Sequence, residues 1–139
     1  MIISLDIPSD KHVEHMFRRY PRAVYGLAFA YVPDSDYCGY LAQGEDLYLT
    51  GHGTPQSIGH PEGRPRFEPG DLCHWLRQSV LPCGYFGDLY IAAPGCTAGF
   101  LAALRDSLGY RHEGRVFGHF DPALSSLPTP VSSNWVSAA

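Results

Sequence analysis

Two short, unbroken apolar runs constrain this chain most: LYLTG at 47–51 and DLYIAAPG at 88–95. Runs of this kind read as strands covered on both faces, as in parallel sheets. Between them, PGDLCHWLRQSVL (69–81) has the period of a helix. Leu72, Trp75, Leu76 and Val80 form its apolar stripe, Pro69 or Asp71 starts it, and Pro82 ends it. A strand, a helix and a second strand predict a parallel pair with a right-handed crossover. The carboxyl ends of the two strands then lie side by side, where open α/β sheets keep their ligand sites.

The remaining segments continue the alternation. IISLDI (2–7) reads as a first strand, and Pro8-Ser9-Asp10 as a turn into a helix over 11–20, with Val13, Met16, Phe17 and Tyr20 on one side. AVYGLAFAYV (23–32) is the longest apolar run and the expected central strand. Residues 33–46 are rich in turn formers and tyrosine. GTPQSIGHPEGRPRFE (53–68) reads as a long irregular loop, and loops of that length are often functional. TAGFLAALRDSLG (97–109) is a helix with Phe100, Leu101, Leu104 and Leu108 inward and Gly109 as its stop. RVFGHF (115–120) is expected to be a fifth strand, followed by a loop-rich tail with a short extended piece near Trp135. The pattern is that of an α/β protein, and 139 residues suit a single domain spanning 1–139.

Charge and cysteine content narrow the function. The net charge is −4 and only 10 residues are Lys or Arg, so no overall basic field attracts nucleic acid or anionic lipid. The N-terminus has no basic segment ahead of its apolar run, so no signal peptide is expected. No apolar stretch approaches the roughly 20 residues that cross a bilayer. The expectation is a protein without membrane or nucleic-acid partners, cytoplasmic or secreted by a leaderless route. Cys38, Cys73, Cys83 and Cys96 form no C-x-x-C pair and no disulfide scaffold, and no zinc-type spacing joins them to His74. His12 and His15 share a helical face, but Glu14 does not share it. No metal site and no cofactor are expected.

The two strand ends carry the chemistry. The first run ends in Gly51-His52-Gly53, where glycine on both sides permits a sharp turn and leaves space around the imidazole. The second ends in Pro94-Gly95-Cys96, followed by a helix. A helix N-terminus and a neighbouring imidazole both favour a thiolate, and an imidazole also serves as its base. The backbone amides of Gly53 and Cys96 are then candidates for an oxyanion hole.

The pair LYLTGHG and LYIAAPGC resembles the caspase-like cysteine peptidases of clan CD, most of all the self-processing cysteine protease domains of bacterial toxins. The resemblance covers about 46–109, with the strands at either side. It implies a caspase-like three-layer sandwich, a mainly parallel sheet flanked by helices. It also implies a His52–Cys96 dyad, an oxyanion held by Gly53 and Cys96, and a protein or peptide substrate. In caspases, arginines near the cleft meet acidic side chains, which makes Arg64 and Arg66 candidates for substrate binding. Pro94 departs from the pattern and removes one backbone donor beside the nucleophile. The toxin domains are switched on by inositol hexakisphosphate at a basic surface. The best basic cluster here, Lys11, Arg18, Arg19 and Arg22, is sparse and reads as a solvated helix face.

The residues bear on two other readings. An α/β-hydrolase needs glycines two positions either side of its nucleophile, but Pro94 and Ala98 flank Cys96, and His precedes Cys. The alternative that stays open is a non-proteolytic caspase-like scaffold, docking a protein through the 53–68 loop and the aromatic surface of Tyr31, Tyr37 and Tyr40.

Overall fold

The computed structural model describes residues 1–5, 28–30, 41–59, 66–121, 131–132 and 134–138. The expected helix over 11–20, Cys38, Arg64 and the tyrosines at 31, 37 and 40 lie outside these residues.

The fold is α/β with a mainly parallel sheet. Its strands are β1 (Ile2–Ser4), β2 (Ala28–Ala30), β3 (Leu47–Thr50), β7 (Leu89–Ala92), β8 (Val116–His119) and β9 (Val136–Ser137). Among the described residues their order is β2-β1-β3-β7-β8-β9, and β9 alone runs antiparallel. β3 and β7 are neighbours in parallel register, Leu47 opposite Leu89 and Thr50 opposite Ala92, as the crossover predicts. The run at 23–32 is not central: β2 ends the described strand order. Continuous hydrophobicity reports cover on the two faces of a strand, not its lateral position.

Both described helices pack on one face. Helix α1 (Pro69–Trp75) has Pro69 in its first turn and runs straight into a π-helical turn, Leu76–Val80. Helix α2 (Ala98–Leu108) is capped by Thr97, whose hydroxyl accepts from the Phe100 amide, and stops at Gly109, which has φ +67°. Leu72, Leu76, Phe100, Leu101, Leu104 and Leu108 are buried against Leu49, Leu89 and Ile91. The other face of the sheet holds Ile2, Tyr48, Tyr90 and Ala92, with the Tyr48 and Tyr90 rings stacked at 4.7 Å. Cover on both faces is why these strands carry no polar alternation. Among the described residues no helix is long and apolar enough to cross a membrane.

Within the segment expected as an irregular loop, the described residues 53–59 and 66–68 include strands. β4 (His52–Gly53), β5 (Ile58–Gly59) and β6 (Arg66–Phe67) form a small antiparallel sheet. Each strand is only two residues long, too short for the alternation that reveals strands in sequence. A tight turn, Thr54–Ser57, joins β4 to β5. The Thr54 amide donates to the Ser57 carbonyl at 2.8 Å, and the two hydroxyls are 2.8 Å apart.

Candidate active site

The two strand ends meet through their backbones. Beyond β3 and β7 the ladder continues, with Gly51 N–H donating to the Ala92 carbonyl at 3.3 Å and Gly53 N–H to the Pro94 carbonyl at 2.9 Å. Residues 93–96 then close a turn, Cys96 N–H donating to the Ala93 carbonyl at 3.1 Å. Pro94 and Gly95, the latter with φ +87°, occupy the positions where a type II turn wants proline and a left-handed residue. The unfamiliar Pro94 is therefore a turn former, and it presents Cys96 at the start of α2.

Glycine is required at the crossing. A Cβ on Gly53 would lie 2.5 Å from the Cys96 nitrogen and 2.7 Å from its Cβ. A Cβ on Gly95 would lie 2.5 Å from the Gly53 carbonyl oxygen. The turn at 54–57 is fastened to the same place, since the Thr97 hydroxyl donates to the Pro55 carbonyl at 3.3 Å. Thr97 thus caps α2 and clamps the histidine-bearing segment. Its position before Ala98 is a recognisable N-cap signal, but its second bond spans 42 residues and leaves no sequence signal.

The predicted residues fall into two groups. Gly53 faces Cys96, as the Cβ geometry shows, and its opposite partner Ile58 is buried in the core. Successive residues of a strand point to opposite faces. His52 therefore lies on the outer face of the small sheet, in one row with Gly59 and Arg66. It is exposed, whereas Cys96 is buried. Arg66 is half-buried and its guanidinium donates to the Ser57 hydroxyl at 2.7 Å. Histidine and arginine thus share one face of β4–β6, and the cysteine lies under the other.

Electrostatics follow the burial. The Cys96 thiol is pushed up to about 11 by burial, against a smaller opposing pull from a hydrogen bond to the Thr97 backbone. It is a protonated thiol at neutral pH. The two amides expected to hold an oxyanion, Gly53 and Cys96, donate to the Pro94 and Ala93 carbonyls. In this conformation they are engaged, and receiving an oxyanion requires them to leave those partners.

His119 is a second histidine at this edge that the sequence did not single out. It ends β8 opposite Ala92, is buried, and packs edge-on to Trp135 at 5.7 Å. Its register places it on the Tyr90 and Ala92 side of the sheet, opposite to Cys96. Among the described residues no group of three or more His, Cys, Asp or Glu side chains is placed to hold a metal ion. Comparison of the chain with protein-family models, curated proteins and solved structures finds no match.

Proposed function

We propose that this chain is a small caspase-like cysteine peptidase, a three-layer sandwich with His52 and Cys96 as its dyad. One observation carries the reading. Gly51-His52-Gly53 and Pro94-Gly95-Cys96 end adjacent parallel strands and are bonded to each other at the carboxyl edge of the sheet. In the working form the Cys96 thiolate attacks a peptide carbonyl, forming the C–S bond, while the amides of Gly53 and Cys96 hold the oxyanion. His52 protonates the departing amine as the C–N bond breaks, and water then releases the acyl group from sulfur. Arg66, on the His52 face, and Arg64 meet an acidic side chain of the protein or peptide substrate. The setting that suits such a domain is a bacterial effector, toxin or defence protease, acting in the cytoplasm or after export. This chemistry requires the 93–96 turn to open and the imidazole to reach round β4.

A second reading, the non-proteolytic scaffold, is favoured by the buried, high-pKa Cys96 thiol and by its engaged amides. Iodoacetamide labelling followed by peptide mass spectrometry separates the two. Alkylation of Cys96 proceeds through the opened form, so the informative quantity is its dependence on His52. A peptidase shows Cys96 labelling that drops about tenfold or more in His52→Ala, within the range of base assistance, while exposed Cys83 is unchanged. Cys96 labelling indifferent to His52 makes the scaffold the surviving reading.

A further inference from the structure

The opposite end of α2 borders a cavity of about 310 Å³, within the lower range of small-molecule sites. Leu108, the last residue of α2, lines it, so it lies about 16 Å along the helix from the Cys96 end. It also lies beyond the amino ends of β7 and β8, away from the strand ends that carry the dyad.

We propose that this cavity binds a small carboxylate with an apolar or aromatic body, a site independent of the peptidase reading. Arg77 and Arg111 line it and no described lining residue is a carboxylate, although the charges of Asp46 and Asp88 reach the lining residue Tyr85 and that of Asp88 reaches His112. The carbonyl end of α2 would ordinarily repel an anion. Here Arg77 donates to the Leu108 carbonyl, and Arg105 donates to the Gly109 carbonyl at 3.1 Å, so that negative end is already met. A guanidinium has five N–H donors in a fork that matches a carboxylate, and Arg111 is exposed on the rim.

His112 is a further polar residue at the cavity. It is 5% exposed, and its Nε2 atom has no hydrogen-bond partner among the described residues. Buried polar atoms left unpaired are few in folded proteins and ask for a partner. The other walls are Leu81, Pro82 and the ring of Tyr85, which stacks on His112 at 5.8 Å. Walls that are partly apolar, with a guanidinium rim, fit an organic acid with an apolar body better than a compact, fully hydrated phosphate.

The backbone here is also unusual. The π turn at Leu76–Val80, closed by the Leu81 amide on the Leu76 carbonyl at 2.7 Å, carries Arg77 and leads into the cavity wall. Such insertions in helices are found frequently at functional sites. The wall turns at Gly84, φ +74°, and is pinned by Gln43, whose side-chain amide donates to the Cys83 carbonyl at 2.6 Å.

Benzoate is the probe, followed by amide and imidazole NMR shifts of the full chain, with benzamide as neutral isostere and inorganic phosphate as compact anion. Saturable shifts at Gly84, Arg111 and His112 are expected with benzoate, with Kd on the order of 1 mM for so small a ligand. Benzamide should bind about tenfold more weakly, as should benzoate to Arg111→Gln, and His52→Ala should bind like the parent. The exposed position of Arg111 keeps that variant folded. Absence of saturable benzoate shifts up to about 10 mM, or shifts unaltered by Arg111→Gln, overturns the site. Saturable phosphate binding without benzoate binding overturns the carboxylate assignment.

Discussion

The two edges of the parallel sheet are joined in different ways. At the carboxyl edge the histidine and cysteine segments are locked main chain to main chain, with glycine where they cross. At the amino edge many of the ties come from side chains. The Tyr85 hydroxyl donates to the Glu45 carbonyl at 2.7 Å, and the Asp46 carboxylate accepts from the Asp88 amide at 3.1 Å. Asp88 in turn accepts from the Arg115 amide at 2.7 Å. A main-chain lock responds to volume and little else, whereas side-chain ties respond to ligands and to protons. The carboxyl edge should therefore be the more sensitive to added volume and the amino edge to lost side-chain groups, ligands and protons.

Gly53→Ala is the strongest test of that contrast. The new methyl would lie 2.5 Å from the Cys96 nitrogen, a backbone atom with no rotamer to escape into. Overpacking of this kind costs about 3 kcal/mol, and urea unfolding should show it as a lower midpoint with an unchanged slope. A near-neutral effect would mean that the two segments are not held in contact in solution, and the difference between the edges would disappear.

Tyr85→Phe probes the other edge with a smaller change. The ring and its stack on His112 are kept, and only the hydroxyl is lost. The Glu45 carbonyl then lacks that donor, for a loss of about 1 kcal/mol. Burial, reinforced by the charges of Asp46 and Asp88, holds the Tyr85 phenol far above its ordinary value, so the loss should not vary with pH up to the alkaline limit of folding. A loss equal to that of Gly53→Ala would show that side chains bind this edge as rigidly as backbone binds the other.

How much of this was legible in sequence divides along the same line. The β3–α1–β7 crossover, the α2 stripe and its Gly109 stop are local patterns, and the structure has them. So is the proximity of Gly53 to Cys96, because parallel neighbours bring their carboxyl ends together. Which way His52 points was not legible: it depends on the two-residue pairing of β4 with β5, below the length at which alternation shows. The same holds for the Gly53 amide, whose bond to the Pro94 carbonyl has no residue signature, whereas Pro94-Gly95 is a type II turn signal that accounts for the Cys96 amide. Edge position of β2 was missed because hydrophobicity does not encode lateral order. The cavity was missed because Arg77, Arg111 and His112 gather only through the meeting of α1 and α2.

The smallest expected effect is a proton at His112, and it sharpens the comparison most finely. Burial holds its imidazole below the ordinary value of 6.5, the charge of Arg105 adds to this, Asp88 opposes it, Arg77 lowers it further and the Arg115 backbone raises it. With the folded pKa depressed, the unfolded chain takes up the proton first on acidification. The stability linked to this group is complete above 6.5 and is lost as pH falls through the lower folded value. Urea midpoints should therefore decline between about pH 7 and about pH 5, the range in which histidine titrates. In His112→Phe, which keeps a ring against Tyr85 but has no proton to accept, the decline should be shallower, whereas Gly53→Ala should keep the parent's slope from a lower start. Saturating benzoate should also flatten the parent's decline, because a carboxylate beside the imidazole favours its charged form. An unchanged slope in His112→Phe would assign the acid response to other histidines and leave the amino edge as insensitive to protons as the carboxyl edge.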